Sequence, residues 1–167
     1  MGSEEITVLL HEVAAELPDG GGQRTLIIAG GALLAMRGLR DATRDVDSVV
    51  RLDDAVRAAA TCVAKRHDLA LTWLNDSAAA FLPATFDPGE CDVLLDHPSL
   101  LVLGVPSDQL FLMKLNASRS VDTADMEAIW PSCTFGSPEA AAEAFYLAYP
   151  FERRDEFLAD QIRRTVE

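Results

Sequence analysis

The chain has 167 residues, a formal net charge of -13, 49% hydrophobic and 25% charged residues. Such a chain can bury its own core, and the composition excludes a disordered or fibrous protein. The acidic balance weighs against non-specific nucleic-acid binding, which depends on Lys and Arg neutralising phosphates, and favours a basic partner or divalent cations among clustered carboxylates.

Cys62, Cys91 and Cys133 are odd in number and lack a C-x-x-C spacing, so neither a disulfide framework nor a zinc site is expected. No apolar run approaches the ~18 residues of a membrane span, and Met1 to Leu10 has no basic region leading into a long apolar stretch. A cytoplasmic protein with no membrane contact is expected.

Ile6, Leu9, Leu10, Val13 and Leu17 recur at helical spacing after Ser3-Glu4-Glu5, which suits a helix start. Pro18 to Gly22 ends that helix. Thr25 to Ala29 reads as a short buried strand, followed by Gly30-Gly31 and a short helix over Ala32 to Arg37 that Gly38 stops. Asp45 to Arg51 reads as a second strand, Asp53 to Arg66 as a helix and Leu69 to Leu74 as a third strand. Asn75 to Glu90 stays ambiguous between an edge strand and turns. Cys91 to Leu95 and Leu100 to Val105 read as further strands. A helix starts at Ser107 and extends, with or without a break, to Trp130, where Pro131 stops it. Ser137-Pro138-Glu139 starts another helix, and amphipathic segments near Glu139 to Ala148 and Glu152 to Val166 complete the chain. The order predicts one α+β domain over residues 1–167, a small mixed sheet flanked by helices with a core at about 25–130 and a helical segment at about 137–166.

Asp45-Val46-Asp47 carries the chemistry. In a strand, residues two apart share a face, so both carboxylates project together while Val46 turns to the core. Adjacent anions repel unless a cation binds them. Magnesium is a hard ion, commonly held by one or two carboxylates plus substrate phosphates, and a metal so held stabilises phosphoryl or nucleotidyl displacement. Gly30-Gly31, upstream between a buried strand and a helix, allows close backbone approach and offers unpaired N–H groups to a phosphate. Taken singly, each feature also has a plain reading, a solvated strand edge or a tight turn.

Ile28-Ala29-Gly30-Gly31-Ala32-Leu33, with Arg40 and Thr43-Arg44-Asp45-Val46-Asp47, forms a first block, and Lys114 to Asp125 (KLNASRSVDTAD) a second. Together they resemble the DNA polymerase β-like nucleotidyltransferase superfamily, most closely the AbiEii/MenT group of toxin nucleotidyltransferases, over roughly residues 25 to 130. The resemblance implies a minimal nucleotidyltransferase fold. It implies that Gly30 and Gly31 contact nucleotide phosphates, that Asp45 and Asp47 bind magnesium, and that Thr43 is a functional hydroxyl. Lys114 would hold phosphates, and Asp122 or Asp125 would complete the site or orient Lys114. On a continuous helix Asp125 lies about 20° and Asp122 about 80° around from Lys114, and a Lys suits phosphate binding as a point charge. Arg119 would anchor one of these acids or bind substrate. The third metal-binding carboxylate of the superfamily, the base on the attacking hydroxyl, has Asp92 as its best candidate; the alternative is a plain strand-end acid.

The expected activity is magnesium-dependent transfer of a nucleoside monophosphate from a nucleoside triphosphate to a hydroxyl. By resemblance the acceptor is a tRNA 3′ end, and the protein is a toxin restrained by an antitoxin protein. The alternatives are a nucleotide- or partner-binding protein of this fold without turnover and a nucleotidyltransferase acting on an antibiotic or metabolite. His11, His67 and His97 are dispersed and read as surface or local hydrogen-bonding groups. Trp73 and Trp130 read as core. Arg51, Arg57, Lys65, Arg66, Arg153, Arg154, Arg163 and Arg164 are candidates for an RNA patch but read first as solvated helix faces.

Overall fold

The computed structural model describes residues 1–18, 20–117 and 122–166. It is an α+β protein. By the packing of its backbone the chain divides into two compact units, Met1–Ala80 with Cys91–Val105, and Phe81–Glu90 with Pro106–Glu167.

The first unit opens with helix α1 (Ser3–Glu16), whose Ile6, Leu9, Leu10 and Val13 are buried, as the sequence spacing predicts. Strand β1 (Arg24–Ala29) runs directly into helix α2 (Gly30–Met36). Strand β2 (Val46–Ser48), helix α3 (Asp54–Arg66), strand β3 (Leu74–Asn75), strand β4 (Asp92–His97) and strand β5 (Leu100–Gly104) follow. Among the described residues the strands form one mixed sheet of order β3-β2-β1-β5-β4. β1 pairs antiparallel with β2 and parallel with β5, β2 pairs parallel with β3, and β4 pairs antiparallel with β5. Leu26, Ile27, Ile28 and Ala29 are all buried, so the central strand reads as a continuous apolar run rather than an alternation. Asp53 caps α3 by accepting from the Val56 amide at 2.8 Å, and Val56, Ala59, Ala60 and Val63 line that helix's buried face. Trp73 is 1% exposed and its Nε1 donates to the Ala60 carbonyl at 3.0 Å, which satisfies the one polar atom of a core indole.

Two of the predicted strands are much shortened in the structure. The Asp45 to Arg51 expectation contracts to three residues: β2 starts where β1 bends into α2, pairs Asp47 with Ala29 and Ser48 with Ile28, and beyond it the Val49 amide makes one more bond to the Ile27 carbonyl at 2.8 Å. After the pairing ends, the Ser48 hydroxyl donates to the Val50 carbonyl and accepts from the Val50 amide, turning the chain away. The Leu69 to Leu74 expectation contracts to Leu74–Asn75. Asp68 adopts a left-handed φ of 52°, and a turn from Ala70 to Trp73 leaves Leu71 exposed. The ambiguous stretch after Asn75 holds 3-10 turns at Ser77–Phe81 and Pro88–Glu90.

The second unit carries helices α4 (Ser107–Ala117), α5 (Thr123–Ile129), α6 (Pro138–Ala148) and α7 (Leu158–Val166). Ser137 accepts from the Ala140 amide with Pro138 at the first helical position, the start read from the sequence. Phe111, Trp130 and Phe135 form an aromatic cluster with ring centroids 5.2 to 6.0 Å apart. No helix among the described residues is long and apolar enough to cross a membrane.

Replacing Ile28, which is fully buried on the central strand, with Ala should cost about 2–5 kcal/mol. Val93→Ala, on an exposed strand position, should change stability by no more than about 0.5 kcal/mol. Urea unfolding of both variants measures the difference.

Candidate functional site

The first unit brings Gly30, Gly31, Thr43, Asp45 and Asp47 together. Asp47 lies on β2 opposite Ala29, the last residue of β1, so its carboxylate stands beside the bend where β1 becomes α2. Gly30 makes that bend with φ +64°, and a β-carbon placed there would lie 2.9 Å from Asp47 Oδ2. The backbone conformation favours glycine, and a side chain there would displace the Asp47 carboxylate. At Gly31 a β-carbon would meet Thr43 Oγ1 at 2.8 Å and Arg40 Nη1 at 3.2 Å. The glycine pair is therefore walled by Asp47 at Gly30 and by Thr43 and Arg40 at Gly31.

Asp45 precedes β2 and Asp47 lies within it, flanking Val46, which is fully buried. The Thr43 hydroxyl lies 3.2 Å from the Asp45 carbonyl and 3.4 Å from its Oδ1. On Asp47, Oδ1 lies 3.0 Å from the Ser77 hydroxyl. Partial burial first, and the neighbouring Asp47 charge second, push the Asp45 carboxyl above its usual range; Thr43 and Arg40 oppose this. The donor set is two hard carboxylates beside a glycine cradle, which fits magnesium with the remaining positions left to water or phosphate.

Asp92 is not brought to this pair. It lies on β4, three strand spacings from β2, about 14 Å of backbone separation. Its Oδ2 accepts from Arg37 Nη2 at 2.9 Å, and Arg37 also donates to the Val105 carbonyl at 2.8 Å. Magnesium ligands sit about 2.1 Å from the ion, so the third-ligand expectation for Asp92 finds no support in the sheet order. Among the described residues no group of three or more His, Cys, Asp or Glu is placed to hold a metal.

In the second unit Lys114 is 7% exposed, and its Nζ donates to Asp122 Oδ1 at 2.8 Å and Asp125 Oδ2 at 2.7 Å. Of the helical character expected from Ser107 to Trp130, with or without a break, the described residues hold Ser107–Ala117 and Thr123–Ile129, and both acids reach the lysine. Asp122 and Asp125 are 8% and 7% exposed, so this is a buried ionic cluster inside its unit. Arg119 lies outside the described residues.

Sequence reasoning missed Ser77 and Asn75. Asn75 pairs with Asp47 across β2 and β3, and Ser77 follows it in an Asx-type turn. The signal was an Asn-x-Ser run just past a strand end, in a stretch with no clear periodicity. Four of the eight basic candidates for an RNA patch pair with carboxylates. Arg57 pairs with Asp76, Arg66 with Glu12 and Glu16, Arg154 with Glu143, and Arg163 with Glu139 and Asp160. His67 bonds Glu12, and His97 bonds Ser99.

Comparison with protein-family models, with curated proteins and with solved structures gives no match.

Two outcomes follow. Because the Asp45 carboxyl is raised, the folded state binds its proton more tightly than the unfolded chain does. The resulting penalty is absent at pH below the ordinary carboxylate range and grows as pH rises through the raised value. Asp45→Asn should therefore raise the melting temperature at pH 7 without divalent cations, with the gain vanishing near pH 3, as differential scanning fluorimetry across pH can measure. Lys114→Met should strand two buried carboxylates and cost about 3–5 kcal/mol in chemical denaturation.

Proposed function

We propose that this chain is a magnesium-dependent nucleotidyltransferase. The observation that carries the reading is the juxtaposition of the Asp45–Asp47 pair with a bend at Gly30 whose left-handed φ favours glycine and where a β-carbon would crowd Asp47 Oδ2. Repelling carboxylates held beside bare backbone are costly to folding and useful to a cation and a phosphate chain. The two sequence blocks that resemble the AbiEii/MenT toxin nucleotidyltransferases supply the reaction class.

In this reading Asp45 and Asp47 hold the ion, Thr43 steadies Asp45, and Gly30 and Gly31 allow the phosphates to approach the main chain. Magnesium bound there would offset the charge of a triphosphate and of the leaving pyrophosphate. An acceptor hydroxyl oxygen forms a bond to the α-phosphorus, the bond from that phosphorus to the bridging oxygen breaks, and pyrophosphate departs with the electron pair. The hydroxyl proton passes to solvent. Lys114 keeps the phosphate-holding role that the resemblance gives it as a second expectation, since in its own unit the ammonium is already engaged by two acids.

The resemblance points to a tRNA 3′ end as acceptor, with the chain acting as a toxin checked by an antitoxin protein. A small-molecule hydroxyl is the second reading. It is favoured by the net charge of -13 and by the carboxylate partners of Arg57, Arg66, Arg154 and Arg163.

Incubation of wild type and Asp45→Ala with α-labelled nucleoside triphosphates, magnesium, and either total tRNA or a small-metabolite extract tests both. Label should move to one acceptor pool with wild type and fall at least about a hundredfold with the variant. Transfer that survives in Asp45→Ala, or no transfer and no nucleotide binding with wild type, contradicts the reading.

A further inference from the structure

Ser77 lies outside both sequence blocks, yet its side chain reaches the acidic pair. Its hydroxyl oxygen lies 3.0 Å from Asp47 Oδ1 and 2.5 Å from Asn75 Oδ1, and its single proton is shared between these two acceptors. Ser77 is itself fixed by the strand next to Asp47. Its amide donates to Asn75 Oδ1 at 2.9 Å, its hydroxyl lies 2.5 Å from that same oxygen, and Asn75 Nδ2 donates to the Thr72 carbonyl at 3.3 Å. Asn75 is the register partner of Asp47 in the parallel β2–β3 pair. A closed chain of contacts therefore runs from Asp47 across the ladder to Asn75, and through Ser77 back to the Asp47 carboxylate.

An Asp carboxylate turns easily about its terminal torsion, which has broad minima. A hydroxyl on one oxygen restrains that rotation. Here it holds Oδ1, while Oδ2 faces Gly30, where a β-carbon would lie only 2.9 Å away. Ser77 and Gly30 thus set the carboxylate plane from opposite sides. Ser77 is exposed and caps no long helix, so its loss removes little packing.

We infer that Ser77, held by the Asn75 turn, is a positioning residue that presets the Asp47 carboxylate for a divalent cation. The inference rests on the metal reading of the Asp45–Asp47 pair. It assigns a role to a residue that touches a metal ligand rather than the metal, and partners of this kind typically change metal affinity by about 10–100-fold.

The test is a titration of the full chain with Mn2+, followed by water-proton relaxation, for wild type, Ser77→Ala, Ser77→Thr and Asp47→Asn. Ser77→Ala should raise the Mn2+ dissociation constant about tenfold. Ser77→Thr, which keeps the hydroxyl, should stay within about threefold of wild type, and the metal-free melting temperatures of both should barely move. If wild type binds Mn2+ through Asp47 and Ser77→Ala binds it equally well, Ser77 has no positioning role and the metal reading stands. If Ser77→Thr binds as weakly as Ser77→Ala, the hydroxyl is not the agent and the inference also falls. If wild type shows no Mn2+ binding that Asp47→Asn removes, the metal reading fails and takes this inference with it.

Discussion

The mutual repulsion of Asp45 and Asp47 is the constraint around which the first unit is arranged. Two carboxylates on either side of the fully buried Val46 cannot separate without pulling that valine from the core. Burial and the neighbouring charge already raise the Asp45 carboxyl. The fold answers with hydroxyls, Thr43 at Asp45 and Ser77 at Asp47, and with a bend at Gly30 that brings main chain rather than side chain against the acids. Hydroxyls relieve only part of the charge, and a cation would relieve the rest.

The sheet explains how short sequence segments reach one place. β1 delivers Gly30 and Gly31 at its end, β2 delivers Asp47 opposite that end, and β3 delivers Asn75 opposite Asp47. Three neighbouring strands thus converge on one corner of the sheet. The parallel β1–β5 pair supplies the apolar body on which that corner rests, and the largely exposed β4 forms the far edge. Asp92, at the far edge, faces Arg37 instead and serves that edge.

Much of this corner was legible in the chain. The glycine pair after an apolar run, and acids alternating with a valine, have local causes that sequence displays. The α1 and α3 faces were legible for the same reason, since their apolar spacing is local. Strand lengths were not, because β2 and β3 are limited by the chain around them: β2 starts where β1 bends and ends at the Ser48–Val50 turn, and β3 is cut short by the Ala70–Trp73 turn. The position of Asp92 depended on strand order, and Ser77 depended on the ladder that sets Asn75 against Asp47. Neither leaves a periodic trace. Whether the helix from Ser107 is broken before Trp130 was left open in the sequence, where no proline or glycine marks a break, and Lys114 meets both acids.

The charge of the molecule also divides in an informative way. Many of its basic side chains are engaged by carboxylates on the same or neighbouring helices, as Arg66 is by Glu12 and Glu16 and Arg163 by Glu139 and Asp160. Such pairs contribute little stability at an exposed surface, but they temper the positive potential that a phosphate backbone would seek. The most direct measurement of the central claim is an amide NMR spectrum of the isotopically labelled protein during substoichiometric Mn2+ addition. Selective broadening of the Gly30, Gly31, Asp45 and Asp47 amides is predicted. Broadening spread over the acidic surface, with those four signals spared, would contradict a divalent-cation site at this corner.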